Sequence, residues 1–147
     1  TVLDVWEGEP EADRKLIDLA DIATPHIAGY SVDGKSNATI TAVRQVSAAL
    51  NIPLNDWLPG ALPQPAEPVI DLRLHEAGNS SHDLVAMAVR HTYPIGEDDH
   101  LFRTSPEKFE FLRDNYRQRR EFGSFSVRVN DEEAVRILTD LGFQIIH

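Results

Sequence analysis

The sequence contains no cysteine and no excess of positive charge, and both absences limit what the chain can do. Without cysteine it has no disulfide framework, no thiolate ligands for zinc and no thiol nucleophile, a composition that favours the cytoplasm as its compartment. The formal net charge of -10 at pH 7 argues against nucleic-acid binding, because such binding depends on cations that neutralise phosphates. A local group of arginines could still bind a small anion.

Long apolar runs are also missing. No stretch of about 18 apolar residues is available to cross a membrane, and the first residues lack the pattern of a secretory signal. The chain opens at Thr1 on an apolar segment that is typical of a strand already under way, so we expect it to be a piece of a longer protein. Its 147 residues are enough to bury a core in one domain or in two small ones.

Prolines divide the chain into two parts. The segment 52–68 holds five of the nine prolines, and because proline removes backbone donors, neither a helix nor a central strand is expected there. We therefore predict domains at 1–51 and 69–147, joined by a proline-rich linker at 52–68. In the first domain, apolar residues spaced by three and four positions predict one long helix from Ser31 to Leu50.

The second part alternates between strand and helix patterns. Apolar and polar residues alternate at 70–74 and at 125–129, and a last apolar segment follows at 143–147. Helical patterns lie between these strands, and Asn130 is the predicted cap of the last helix. Because the strands are short enough to pair antiparallel, we predict a small α+β domain with a mainly antiparallel sheet and helices on one face.

Glu9 and His26 are candidates for proton transfer. Histidine suits this task because its ordinary pKa is about 6.5, and it works best when a carboxylate holds its other ring nitrogen. If the two strands that precede these residues are parallel neighbours, both side chains lie at the edge where open α/β sheets bind ligands. Taken singly, Glu9 is more simply a solvated loop acid and His26 a structural histidine.

Two motifs carry a family resemblance. "LDVWEGEP" (3–10) and "TPHIAGYS" (24–31) resemble the D-2-hydroxyacid dehydrogenases, which are two-domain α/β oxidoreductases. The longer "TPHIAGYSVDGK" and the segment "FEFLRDNYRQRREF" (109–122) are similar to one branch that carries an appended dimerisation domain. The resemblance implies an α/β chain in which 1–51 is the C-terminal remnant of a Rossmann-type NAD-binding domain. It also implies that 69–147 is the dimerisation domain of a homodimer.

The same resemblance implies roles for five residues. His26 would accept the proton of the substrate hydroxyl, and Glu9 would orient it. Asp4 would lie near the nicotinamide end of NAD, Gly29 would let the backbone approach this cofactor, and Tyr30 would contact the substrate. The implied substrate is a small phosphorylated hydroxy acid.

Two further groups of side chains have weaker patterns. Four arginines (Arg113, Arg117, Arg119 and Arg120) are either a solvated helix end, where cations complement the helix dipole, or a site for the substrate phosphate, in the same subunit or its partner. Four histidines (His75, His82, His91 and His100) are too scattered for a zinc site, so no metal is expected.

Two parts of the dehydrogenase machinery are not in this sequence. It has no GxGxxG motif and no arginine upstream of Glu9 to complete the family's Arg-Glu-His set. We therefore expect the chain alone to lack a complete cofactor pocket and activity. Because its first strands would have exposed edges, we expect residues 1–51 to be disordered, rearranged or covered by a partner chain. Two alternatives stay open: a dehydrogenase for another D-2-hydroxy acid, and a stand-alone, non-catalytic dimerisation or interaction module.

Overall fold

A computed structural model describes all residues, 1–147, and groups them into two compact units. The histidine unit consists of Thr1–Tyr30 and Tyr93–Arg117, and the sheet unit consists of Ser31–Thr92 and Gln118–His147. These units are defined by compactness, whereas the predicted domains at 1–51 and 69–147 were defined by sequence pattern and resemblance. The domain boundaries therefore stay a prediction.

The chain contains five strands and six α-helices. In chain order they are β1 (Val2–Leu3), α1 (Arg14–Leu19), β2 (Ile22–Ala23), α2 (Val32–Leu50), β3 (Val69–Asp71), α3 (Ser81–Thr92), α4 (Ile95–Thr104), α5 (Phe109–Asp114), β4 (Ser126–Arg128), α6 (Glu132–Asp140) and β5 (Gln144–Ile145). No helix is both long enough and apolar enough to span a membrane.

The histidine unit begins with a β1–α1–β2 crossover. β1 and β2 pair in parallel, with Val2 opposite Ile22 and Leu3 opposite Ala23. A helix between two neighbouring strands returns the chain to the starting edge, which makes the strands parallel. Asp13 caps α1 by accepting a hydrogen bond from the backbone of Lys15. The two strands consequently end side by side.

Aromatic rings from the two segments of the histidine unit form its core. Trp6 packs against Phe102 at a centroid distance of 5.5 Å, and Phe102 packs against Phe109 at 5.6 Å. Ile17 and Ala23 complete this core and are fully buried. Helices α4 and α5 of the same chain thus supply the apolar cover for residues 1–30, where the sequence predicted disorder, rearrangement or cover by a partner chain.

Polar side chains of α4 satisfy the open backbone groups of this small sheet. Asp99 accepts a hydrogen bond from the backbone of Ala23 at 2.7 Å, and Arg103 donates to the carbonyls of Ile17 and Ala20, both at 2.6 Å. The edge of β2 and the end of α1 therefore have partners from the same chain.

Helix α2 of the sheet unit matches the predicted long helix. Ser31 caps it by accepting a hydrogen bond from Gly34. Its predicted apolar stripe is largely uncovered, because Val46 and Leu50 are exposed and Ser47 is its buried residue. The segment 52–68 that follows contains neither helix nor strand, as its prolines predict.

The sheet of the sheet unit corrects the predicted strand pairing. The strands lie in the order β3–β4–β5, and both pairs are parallel, so the prediction of a mainly antiparallel sheet is wrong. Helices occur between β3 and β4, and α6 connects β4 to β5. Connections of this length carry the chain back across the sheet and give parallel neighbours, whatever the length of the strands.

The core of the sheet unit lies between this sheet and helices α3 and α6. Alternate residues of β4 and its flanks are buried (Phe125, Val127 and Val129), together with Leu84 of α3 and Leu138 of α6. Two local predictions need correction. The cap of α6 is Asp131, whose side chain accepts from Ala134, and Leu74 lies in a 3-10 turn and is exposed.

Candidate functional site

His26 and Glu9 form a hydrogen-bonded pair in the histidine unit. His26 Nδ1 lies 2.8 Å from Glu9 Oε2, and the two side chains are 44% and 21% exposed. Glu9 follows β1 and His26 follows β2, so the parallel pairing of these strands brings the two residues to one edge. The structure therefore places together the two residues that the sequence proposed as partners.

Trp6 holds the Glu9 side of the pair. The backbone N–H of Trp6 donates to Glu9 Oε1 at 2.8 Å, and its indole Nε1 donates to the carbonyl of Thr24 at 2.8 Å. Trp6 therefore connects the segment that carries Glu9 to the segment that carries His26. Sequence reasoning missed this residue, although a tryptophan between two carboxylates in "DVWEGEP" is a signal that could have drawn attention to it.

The surroundings of Glu9 keep its carboxyl ionised. The hydrogen bond from His26 lowers the pKa of Glu9 most, and burial opposes this shift. The N–H of Trp6 and the positive charge of Arg113 also lower the pKa. An ionised carboxylate can only accept, so Nδ1 of His26 donates to it and Nε2 is left as the proton acceptor.

Asp4 fixes the loop that contains His26. Its Oδ1 accepts hydrogen bonds from the Thr24 hydroxyl at 2.6 Å and from the backbone of Ile27 at 2.8 Å. Its Oδ2 accepts from the backbone of Ala28 at 3.0 Å. The carboxylate of Asp4 thus accepts hydrogen bonds from residues before and after His26. Its position beside NAD stays a prediction.

The backbone of the loop is unusual at two positions. His26 has φ 55°, in the left-handed region that side chains other than glycine rarely adopt. Such a conformation costs on the order of 1–3 kcal/mol and needs neighbouring contacts to hold it, which Asp4 and Glu9 supply. Gly29 also has a positive φ, 78°, and a Cβ built on it would meet no atom within 4 Å.

The open space at Gly29 suits a cofactor that approaches the backbone. Because glycine lacks Cβ, nothing of the residue itself would hinder that approach. Tyr30 follows directly, and its N–H donates to the carbonyl of Ile27 at 3.0 Å, which closes a turn. The loop therefore presents His26, Gly29 and Tyr30 within five consecutive residues, whereas Asp4 lies beneath it as an anchor.

The four arginines all have partners in this chain. Arg113 pairs with Asp114, and Arg117 pairs with Asp98 at 2.9 Å. Arg119 pairs with Glu121 at 3.3 Å, and Arg120 binds Asp33 through Nε at 2.8 Å.

Three of these arginines follow α5 rather than form its end, since the helix stops at Asp114. Arg119 and Arg120 are each only 11% exposed, so the interpretation as a solvated helix end is wrong for them. Their contact with a substrate phosphate stays a prediction. The structure also contains no group of three or more His, Cys, Asp or Glu residues placed to hold a metal ion.

Comparison with known proteins gives two results. Residues 62–142 match the family described as "Domain of unknown function (DUF3410)". The chain is also 40% identical over 144 residues to the erythronate-4-phosphate dehydrogenase of Porphyromonas gingivalis, a match that covers 97% of this chain and 37% of that enzyme.

Two further relatives carry the same name. The enzyme of Edwardsiella ictaluri is 39% identical and that of Shewanella sp. (strain MR-4) is 37% identical, each over 145 residues. Both matches cover 97% of this chain and 38% of the relative. The chain thus spans little more than a third of the length of the curated relatives it matches.

Proposed function

The chain belongs to the DUF3410 family, and we propose that it is the C-terminal part of an NAD-dependent dehydrogenase of the kind its relatives are named for. The proposed reaction oxidises 4-phospho-D-erythronate to 3-hydroxy-2-oxo-4-phosphooxybutanoate, a step of pyridoxal phosphate synthesis. Residues 1–51 are then the remnant of a Rossmann-type NAD-binding domain, and 69–147 are a dimerisation domain. The proposal includes a homodimer and the cytoplasm as its compartment.

The observation that carries this proposal is the pair formed by His26 and Glu9, with its 2.8 Å contact between Nδ1 and Oε2. Because Nδ1 donates to Glu9, His26 accepts the proton of the substrate hydroxyl at Nε2. The positive charge that forms on the imidazole lies against the Glu9 carboxylate, which stabilises it. NAD, when bound, supplies the acceptor for the hydride that leaves the same carbon.

Other residues of the loop hold and align the reactants in this proposal. Gly29 leaves its face open to NAD, and Asp4 keeps the loop in place beneath it through three hydrogen bonds. Tyr30 contacts the phosphorylated hydroxy acid. The chain supplies the base and part of the alignment, while the dinucleotide-binding motif and the catalytic arginine belong to sequence outside these residues.

The decisive experiment uses the complete product of the gene that encodes this chain. We expect NADH to appear when the protein is given NAD and 4-phospho-D-erythronate. The variant His26→Asn should lower kcat roughly 100- to 10,000-fold, the range for loss of a general base. His82→Asn changes an exposed histidine of α3 and is the matched control, which should keep full activity.

The same assay distinguishes the two alternatives. A higher kcat/KM with 3-phosphoglycerate or an unphosphorylated D-2-hydroxy acid would assign another substrate. If the complete product gives no NADH with any of these acids, the non-catalytic module is favoured. The 147-residue chain by itself should be inactive, and light scattering should show a dimer; a monomer at high concentration would count against the dimerisation domain.

A further inference from the structure

Two tyrosines meet at the end of the loop that carries His26. The rings of Tyr30 and Tyr116 have centroids 6.4 Å apart and planes at 78°, an edge-to-face arrangement. Tyr30 closes the loop, whereas Tyr116 follows α5 and is 86 positions further along the sequence. Both belong to the histidine unit.

Tyr116 is itself held by an ion pair whose carboxylate is buried. Its hydroxyl donates to Asp98 Oδ2 at 3.0 Å, and Asp98, in the first turn of α4, is only 5% exposed. Arg117 binds the same carboxylate at both oxygens, at 2.9 Å and 3.1 Å. The ring of Tyr116 is therefore anchored through its hydroxyl to Asp98, whose negative charge is neutralised and whose position is held by Arg117.

The hydroxyl of Tyr116 keeps its proton in this environment. Burial raises the pKa of Tyr116 most, and the negative charge of Asp98 raises it further. The group therefore acts as a hydrogen-bond donor over the whole working range of an enzyme, and no competing proton loss disturbs the contact with Asp98.

Tyr116 lines a cavity together with both sequence neighbours of His26. Pro25 and Ile27 line one cavity of about 170 Å³ together with Tyr116, Asp98 and Leu101. Helices α4 and α5 therefore approach the loop on the side of Tyr30 and also beside His26. His26 itself does not line this cavity, and its ring is held by Glu9.

We propose that Tyr116 is a positioning residue that orients the ring of Tyr30 toward the substrate, with Asp98 and Arg117 as its anchor. The inference rests on the proposed function, in which Tyr30 contacts the phosphorylated hydroxy acid. Tyr116 touches neither substrate nor cofactor in this scheme. Its effect passes through Tyr30, so it alters substrate binding and leaves the proton transfer at His26 alone.

Steady-state kinetics of the complete gene product test this proposal. Tyr116→Leu removes the ring contact and should raise the KM for 4-phospho-D-erythronate about two- to ten-fold, the equivalent of one aromatic pair. We expect kcat to stay within about two-fold and the KM for NAD to stay unchanged. The lost contact would stabilise the bound substrate and the transition state equally, so its loss changes the KM for the substrate alone. Tyr116→Phe keeps the ring and should have a smaller effect. Leu19→Ala, on α1 and exposed, should have none.

A double-mutant cycle shows whether the effect passes through Tyr30. In a Tyr30→Leu background, Tyr116→Leu should cause no further rise in KM, because the two residues act as one unit. A full additional rise would overturn the proposal, as would an unchanged KM in Tyr116→Leu when Tyr30→Leu alone raises it. An unchanged KM in Tyr30→Leu would remove Tyr30 from the substrate site and overturn the inference as well.

Aromatic NMR of the 147-residue chain supplies a readout that does not depend on activity. Replacing Tyr116 by leucine should shift the ring resonances of Tyr30, whereas Leu19→Ala, at an exposed position of α1, should leave them in place. Unchanged Tyr30 resonances would overturn the positioning contact even if the complete product is active. A shifted resonance with an inactive product would instead overturn the proposed function and, with it, the role given to Tyr30.

Discussion

The histidine unit and the sheet unit are stabilised by different kinds of contact. The sheet unit has three parallel strands and a continuous apolar core in which Val127, Ala134 and Leu138 are fully buried. The histidine unit has two strands of two residues each and a smaller core built around Phe102 and Phe109. Short strands form few hydrogen bonds between strands, so side chains must supply hydrogen-bond partners for the backbone N–H and C=O groups there.

Directed hydrogen bonds from side chains do this in the histidine unit. Asp4, Asp99, Arg103 and the Trp6 indole all bind backbone groups of residues 17–28. These bonds also hold His26 in its left-handed conformation beside Glu9. Polar contacts of defined geometry therefore position the candidate site, whereas apolar packing stabilises most of the sheet unit.

The largest effect should follow from Phe102→Ala in the histidine unit. Phe102 is fully buried between Trp6 and Phe109, and truncation of such a ring costs about 3–5 kcal/mol. Amide hydrogen exchange should show lost protection in 1–30 and 93–117, because all members of this core lie there. Phe111→Ala, on an exposed ring of the same unit, is the control and should change little. Equal loss of protection in both units would show that the core around Phe102 does not stabilise the histidine unit separately.

Leu138→Ala is the matching change in the sheet unit. Leu138 of α6 is fully buried against the sheet, and its truncation should cost about 2–5 kcal/mol. Chemical denaturation should show the loss, and exchange should locate it in β4, β5 and α6. The exposed Leu74 provides the control, since Leu74→Ala removes no core contact. Protection lost first around His26 would contradict the division.

A smaller effect should follow from Arg103→Met, which tests the polar contacts alone. The change keeps an apolar stem but leaves the carbonyls of Ile17 and Ala20 without their donor. A buried group that loses its partner costs about 1–3 kcal/mol. Arg136→Met serves as the control, because its pair with Asp140 is exposed and 3.9 Å long. Equal stability of the two variants would mean that apolar packing suffices in the histidine unit.

The smallest effect concerns an exposed ion pair of the sheet unit. The Arg73 guanidinium lowers the pKa of Asp71 to about 2. Since the folded pKa lies below the ordinary value of 3.8, the contribution of the pair is present above that value and is lost as pH falls through 2. NMR titration of Arg73→Gln should return the pKa of Asp71 toward 3.8, with almost no change in stability at neutral pH. A large loss at neutral pH would mean that polar contacts matter equally in both units.

Local patterns in the sequence predicted much of this structure. The spacing of apolar residues predicted α2, and alternation predicted the buried face at 125–129. The motif "TPHIAGYS" identified His26 as a candidate base, and the structure places His26 beside Glu9. The pairing of the strands was predicted wrongly because strand length was considered without the helices that connect them.

Other features could not be predicted from local pattern. The sequence "GEDDH" offers no sign that Asp98 is buried beneath Tyr116 while Asp99 caps the edge of β2. Each of these contacts joins residues that are between 18 and 76 positions apart. Their partners depend on which segments fold together, and the charge or size of a residue does not reveal that.

Local sequence was enough to predict the long helix α2, the proline-rich break and the candidate base His26 with its carboxylate Glu9, whereas α4 was not predicted. The predicted features depend on neighbours within a few residues, through periodicity, capping and the lack of a donor on proline. Tertiary packing was needed to establish that α4 and α5 cover the first strands, that both sheets are parallel, and that Tyr116 contacts Tyr30. Those outcomes depend on burial and on the partners of charged groups, which exist only once distant segments are packed together.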